Sequence, residues 1–185
     1  MKQTSKLVLS AFFMALGIVL PFLTGQIPQI GKMLLPMHIP ILLCGFICGW
    51  QYGLTIGLIT PLLRGAMFGM PVLMPTGAGM AVELAVYGLI TGILYAKLPK
   101  KIPYIYVSLL GAMIVGRIAW GIASIALYGI MGNQFSIDLF MAGAFLNAIP
   151  GIILQIVLIP AIIIALKKAR VLNAYGAESG TAAAR

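Results

Sequence analysis

Four ionisable side chains stand inside or beside long apolar runs of this 185-residue chain. Arg64, Glu83 and Arg117 lie within such runs, and the one histidine, His38, stands near the start of another. Charged groups are costly inside a bilayer, and those found there commonly pair with one another or mark the path of a solute. These four residues are therefore the first candidates for a functional site.

The sequence lacks the residue patterns of common enzyme sites. It has no P-loop, no His-Glu-x-x-His zinc pattern and no aspartate cluster of the kind that binds magnesium. Asp and Glu together number only 3, which leaves too few carboxylates for an acid–base pair or a metal site. We expect no catalysis, no cofactor and no bound metal, so any ATP-driven work must fall to other subunits.

The composition is that of an integral membrane protein. Hydrophobic residues make up 62% of the chain and charged residues 8%, against about 45–50% and about 25% in soluble domains. So large an apolar excess cannot be buried in one core beneath a polar shell. We expect one membrane domain over residues 1–172. Residues 173–185 form an Ala/Gly/Ser-rich tail, predicted to be disordered, whose last residues could come from cloning.

The apolar segments predict an all-α fold with six transmembrane helices. Polar, Gly/Pro-punctuated residues 24–36 are predicted to form a loop, and two prolines within residues 70–76 break the pattern again. A basic turn after residue 96 marks a third boundary. The predicted helices cover residues 7–23, 37–50, 52–69, 77–96, about 104–131 and about 138–168.

The basic residues orient this bundle. With six spans both termini lie on one side, and most of the cations fall there: Lys2, Lys6, Lys97, Lys100, Lys101, Lys167, Lys168 and Arg170. Cytoplasmic loops carry an excess of Lys and Arg, so both termini are predicted to be cytoplasmic, in the plasma membrane of a bacterial-type cell. The basic surplus is thus a topology signal, and we expect no nucleic-acid partner.

In this topology the polar side chains of the spans converge on the outer half of the membrane, and two interpretations remain open. In one, an ion pair of Glu83 with Arg117 or Arg64 only fixes helix packing. In the other, these groups surround a water-accessible pocket that opens to the exterior. The predicted lining comprises Glu83, Tyr87, Arg117, Trp120 and Asn147, with the loop residues Gln26 and Gln29 above it.

Two aromatic residues near this pocket have alternative interpretations of their own. His38 could be an interfacial residue at a helix start or a ligand contact. Trp120 stands one turn after Arg117, where its indole could stack on a ring-bearing or amide-bearing solute.

Small residues recur at four-residue spacing, which places them on one helix face and allows close approach of another backbone. The glycines at 45, 49, 53 and 57 and at 88 and 92 are interpreted as packing within this chain. Ala11 and Ala15 lie on the first helix, and for them a docking surface for another membrane subunit competes with internal packing.

Three blocks of sequence resemble the substrate-binding S components of energy-coupling factor (ECF) transporters. Residues 10–17 (SAFFMALG) match the alanine-x-x-x-alanine pattern of that family. Residues 37–64, from MHIP to TPLLR, and residues 75–88, from PT to ELAVYG, are similar to its second to fourth helices. The resemblance covers about residues 5–170.

The resemblance implies a small bundle that binds a water-soluble vitamin from outside and docks on an ECF transmembrane coupling subunit driven by two ATPase subunits. Ala11 and Ala15 match the docking motif, and the ligand would be held by the loop after the first helix and the outer halves of helices four to six. No residue signature selects the vitamin. If Arg64 and Arg117 face the cavity, a carboxylate such as pantothenate is the first candidate.

A stand-alone secondary carrier or channel is the alternative function, and a membrane enzyme or scaffold subunit is a third. A carrier typically shows internal repeats with broken helices in both halves, and a channel shows a polar stripe along a whole helix. The sequence displays neither pattern.

Overall fold

The computed structural model describes residues 3–24, 27–144 and 146–169, and within these ranges every regular element is a helix. The predicted tail 173–185 and the predicted site residue Gln26 lie outside them. The α-helices, in chain order, are α1 (Gln3–Val19), α2 (Pro28–Leu34), α3 (His38–Cys48), α4 (Trp50–Phe68), α5 (Ala78–Lys97), α6 (Ile102–Ile130), α7 (Ile137–Ala144) and α8 (Ile149–Lys168).

Four stretches of the described chain are long and apolar enough to cross a membrane by length and composition. They are Gln3–Leu23, Leu73–Lys97, Ile102–Ile130 and Ile137–Lys168. Helix α3 has 11 residues and spans only about 16 Å, roughly half the hydrocarbon thickness of a bilayer. The all-helical prediction is confirmed, while the six spans and the cytoplasmic termini stay predictions.

The predicted loop 24–36 is wrong in one respect, because it contains the seven-residue helix α2. Pro28 begins this helix, where a missing N–H costs nothing, since the first turn has no carbonyl to receive it. The helix ends at Leu34, and Leu35, whose N–H still bonds to the Gly31 carbonyl, turns the chain away with a left-handed backbone (φ 50°). The prolines that argue against a long helix thus permit a short one.

The predicted segment 138–168 corresponds to the candidate span Ile137–Lys168, but it is not one regular α-helix, because it contains α7 and α8. A short 3-10 turn, Leu146–Ala148, precedes α8, and Pro150 lies in the first turn of α8. A proline inside a helix removes a hydrogen bond and clashes with the carbonyl four residues earlier. Helix α8 therefore begins at Ile149, with Pro150 in the first turn, where no helical hydrogen bond is lost.

The breaks after α3 and α4 are set by glycines in the left-handed region. Gly49 (φ 99°) and Gly69 (φ 70°) have nothing within 4 Å of where a Cβ would lie, so the packing role predicted for Gly49 is wrong. Their backbone conformation disfavours any residue with a Cβ. The predicted break over residues 70–76 is confirmed, since irregular backbone separates α4 from α5.

Helix α3 is the centre of the bundle. Ten of its residues are buried, and it packs against α1, α4, α5 and α8. Cys44 and Cys48 are among the buried residues, and both are free thiols. A helix surrounded in this way does not need the length of a lipid-facing span.

Glycines bring α4 into backbone contact with α5, as the four-residue spacing predicts. A Cβ added to Gly88 would lie 2.2 Å from the carbonyl carbon of Gly53. One added to Gly57 would lie 2.3 Å from the carbonyl oxygen of Leu84. Neither neighbour is a side chain that could rotate away, so these positions admit only glycine without a backbone shift.

We therefore expect Gly88→Ala to destabilise the protein by about 1–3 kcal/mol, the cost typical of overpacking. Gly129→Ala in α6 is the matched control, because nothing lies within 4 Å of its Cβ position and alanine is a better helix former by up to about 1 kcal/mol. Thermal melting in detergent measures both variants. Equal melting temperatures would contradict the close α4–α5 contact.

Candidate functional site

A cavity of about 490 Å³ opens at one end of the bundle. It is bordered by the first residues of α3 and α5, the last turns of α4 and α6, and parts of α2 and α7. The basic turn after Lys97 follows the far end of α5. The cavity and the lysine-rich turn therefore occupy opposite ends of the same helix. Six of the predicted site residues line the cavity: His38, Arg64, Glu83, Arg117, Trp120 and Asn147.

Three of these residues form a buried charged cluster. Arg117 Nη1 lies 2.9 Å from Glu83 Oε1, and His38 Nε2 lies 3.6 Å from the same oxygen. His38, Glu83 and Arg117 are 1%, 2% and 6% exposed. We call these residues the floor of the cavity. The ion-pair interpretation is thus correct in geometry, with Arg117 as the partner, and the His38 ring is buried beside that pair at the start of α3.

The floor holds polar atoms that the protein does not use. Both ring nitrogens of His38, together with Nε and Nη2 of Arg117, are buried with no hydrogen-bond partner in the described part of the chain. Leaving a buried donor or acceptor unpaired costs about 1–3 kcal/mol. The floor is therefore a costly arrangement that close packing around the Glu83–Arg117 pair must compensate.

Arg64 lines the cavity but does not pair with Glu83. Its Nε donates to the carbonyl of Ile18 at 3.3 Å, and its Nη1 donates to the carbonyl of Met70. The guanidinium also lies 5.4 Å from the centre of the Phe22 ring. Arg64 therefore ties the end of α1 to the segment that follows α4, and the Glu83–Arg64 alternative is wrong.

Tyr87 is placed behind the floor and is not among the residues that line the cavity. It follows Glu83 by one turn of α5 and is 0% exposed. Its ring meets the His38 ring edge to face at 5.5 Å. Tyr87 thus supports the position of His38, whereas the sequence predicted that it lines the pocket.

One wall of the cavity is aromatic. Trp120 stacks on Phe140 with ring centres 6.0 Å apart and planes at 25°, and it meets Phe135 edge to face at 5.7 Å. Tyr128 and Phe135 also line the cavity. Sequence reasoning missed Tyr128, Phe135 and Phe140, although all three are aromatic residues close in sequence to the end of α6 and the start of α7.

A protein-family model described as "ECF transporter, substrate-specific component" matches residues 5–163. The chain belongs to this family. No curated protein and no solved structure matches it. It is therefore a membrane-embedded substrate-binding component, of a family whose members work with an ECF transmembrane subunit and ATPases.

The two alanines of the S component's predicted docking motif are free of internal packing. Ala11 and Ala15 are exposed on α1, whereas Ser10, Phe13 and Gly17 on the same helix are buried. The buried set faces α3 and α4, which are the helices that α1 contacts. The internal-packing interpretation of Ala11 and Ala15 is therefore wrong, because neither alanine is buried against another described helix.

The predicted roof of the S component's pocket differs in its residues. Gln29 is exposed and is not among the cavity-lining residues. Ile27, Gly31 and Leu35, in and around α2, line the cavity instead. The prediction that this segment covers the cavity is thus correct, whereas the prediction that Gln29 lines it is wrong. The segment folds into α2, and Gln29 lies on the exposed side of that helix.

The floor pair generates a stability prediction. Arg117→Met leaves the Glu83 carboxylate buried without its cation, and breaking a buried pair in this way costs about 3–5 kcal/mol. Adding Glu83→Gln removes the uncompensated charge, so we expect the double variant to regain much of the lost melting temperature. Asn147→Ala is the control, since this exposed residue lines the cavity outside the pair. A double variant no more stable than Arg117→Met would contradict the pairing.

Proposed function

We propose that this S component captures a water-soluble vitamin or related micronutrient from outside a bacterial-type cell and delivers it through an ECF complex with two ATPase subunits. The observation that carries the proposal is the cavity of about 490 Å³ with a buried ion pair at its floor. Its volume lies within the range of small-molecule sites. We assign no catalytic role to the chain itself.

The proposed orientation has six spans, with both termini in the cytoplasm. Its support is a cluster of cations at the end of the bundle away from the cavity. Lys97 ends α5, Lys100 and Lys101 follow it, and Lys167 Nζ of α8 donates to the Lys100 carbonyl at 2.9 Å. Because Lys and Arg are enriched in cytoplasmic loops, the cavity would open to the exterior.

Pantothenate is not singled out by the site. Arg64 and Arg117 both line the cavity, as that preference required, but Arg64 donates to two backbone carbonyls and Arg117 pairs with Glu83, and neither contact selects one vitamin. The proposed substrate class is therefore left at water-soluble vitamins and related micronutrients.

Docking is proposed to use the exposed Ala11/Ala15 face of α1, so Ala11→Trp or Ala15→Trp should abolish capture of the coupling subunit while solute binding is retained. An indole at either position prevents the close helix approach that small residues permit. Ala161→Trp is the control, because Ala161 is also exposed but lies on α8. Pull-down of the coupling subunit measures the effect. Normal complex formation by both α1 variants would exclude this face.

The lone chain should bind solute without accumulating it. It has no nucleotide-binding pattern in its sequence, and one outward-facing cavity completes only half of a transport cycle. Proteoliposomes with the chain alone are expected to show no concentrative uptake, and addition of the coupling and ATPase subunits should confer ATP-dependent uptake. Proton-driven or sodium-driven accumulation by the chain alone would instead favour the secondary carrier.

A further inference from the structure

We propose that the end of the bundle away from the cavity binds the phosphate of an anionic lipid headgroup through Lys100 and Lys167, whose ammonium groups meet at the Tyr95 ring. This site goes beyond the proposed function, because none of the three residues lines the cavity and the site does not depend on the solute. Three features support it: the geometry of the two lysines, the lack of a carboxylate beside them in the described part of the chain, and their level at the ends of the spans.

One aromatic ring gathers two lysines from separate parts of the bundle. Tyr95 lies in the last turn of α5, and its ring meets the buried Phe46 of α3 edge to face at 5.0 Å. The Lys100 ammonium, in the turn after α5, lies 4.0 Å from the centre of the Tyr95 ring. The Lys167 ammonium, in the last turn of α8, lies 5.5 Å from the same centre. Because a ring face attracts cations, it holds these two positive charges close together.

No carboxylate of the described chain compensates the two ammonium groups. Glu83 forms its ion pair at the floor of the cavity, and Asp138 lies in the first turn of α7, which also borders the cavity. The third acidic residue of the sequence, Glu178, lies outside the described residues. Partial burial lowers the pKa of Lys100, and the charge of Lys167 lowers it further. An anion bound to both ammonium groups would offset this repulsion.

The level of the two lysines favours a lipid as the source of that anion. Lys100 lies in the turn between two candidate membrane spans, and Lys167 is the last residue but one of a third. Beside them, Ile102 and Val107 at the start of α6 are about half exposed, which provides an apolar surface for acyl chains. Basic pockets between the ends of transmembrane helices bind anionic lipid headgroups, and the compact ammonium group of lysine binds phosphate as a point charge.

Three further lysines make the surroundings of this pair basic. Lys97, Lys101 and Lys168 are exposed, and each lies within three residues of Lys100 or Lys167 in the sequence. Their charges attract an anionic membrane surface over a Debye length, about 8 Å at physiological ionic strength. The pair differs from them in being held on a common ring. The outer lysines therefore contribute general attraction, and the pair provides the contacts with the phosphate.

Native mass spectrometry of the purified full chain in a neutral detergent tests the proposal. The probes are phosphatidylglycerol, which is anionic, and phosphatidylcholine, whose phosphate is accompanied by a cationic choline that the lysines repel. We expect tighter binding of phosphatidylglycerol, and a loss of about fivefold in its affinity for each of Lys100→Gln and Lys167→Gln, the effect typical of one lysine at an anionic lipid surface. Lys6→Gln is the matched control, because Lys6 lies in the first turn of α1, which packs on α3 and α4.

Several results would overturn the site. Equal affinities for the two lipids would remove the preference for an anion, and an equal loss in Lys6→Gln would show diffuse attraction in place of a site. Displacement of phosphatidylglycerol by inorganic phosphate at matched ionic strength would assign the lysines to a soluble anion. Unchanged lipid binding in both glutamine variants, with capture of the coupling subunit lost, would assign them to a protein partner.

Charge-preserving variants and salt separate binding from folding. Lys100→Arg and Lys167→Arg keep the positive charge and should retain the lipid, and thermal melting shows whether each variant is folded. If the glutamine variants do not fold, the wild-type chain still decides the question. Its preference for phosphatidylglycerol should fall as added salt screens the lysines, and a preference that salt leaves unchanged would overturn the proposal.

Discussion

The buried ion pair between Glu83 and Arg117 is the interaction on which the cavity depends. Both groups are almost completely removed from solvent, and removing a charge from water costs several kcal/mol unless a partner compensates it. The pair therefore fixes α5 and α6 in one register, and His38 adds the start of α3 to the same point at 3.6 Å. The floor is consequently set by long helices of the bundle core and does not depend on the loops above it.

Such a pair can be buried only if the helices approach closely, and the glycines provide that approach. Gly88 of α5 lies against the backbone of Gly53 in α4, and Gly45 of α3 contacts the same part of α5. In a membrane, apolar side chains gain little by leaving lipid, so association relies on close packing and on polar contacts. Glycine contacts near the middle of α5 and the ion pair near its start thus hold the same set of helices together.

The sequence predicts the floor better than the rim, by which we mean the part of the cavity lining formed by α2 and α7. The reason is physical. Consecutive spans run in opposite directions, so Glu83 of one and Arg117 and Trp120 of the next are expected at similar depth in the membrane. Charged residues are so rare in the apolar segments that Glu83 and Arg117 stand out from the sequence alone. The partners of Arg64 are backbone carbonyls, which residue types do not reveal. Helix α2 was missed because the prolines and glycine of residues 24–36 predict a loop, although Pro28 is compatible with the first turn of a helix. The break between α7 and α8 was missed because apolar content does not distinguish one long helix from two short ones.

The rim and the floor are formed by helices of different length. The rim contains α2 and α7, with seven and eight residues, and helices this short are marginal without tertiary contacts. The floor belongs to helices of 11 to 29 residues that pack against one another. Arg64 borders the cavity outside both groups of helices and donates to the Ile18 carbonyl in the last turn of α1. The helix that carries the exposed Ala11 and Ala15 is therefore fixed to the cavity lining through one side chain of α4.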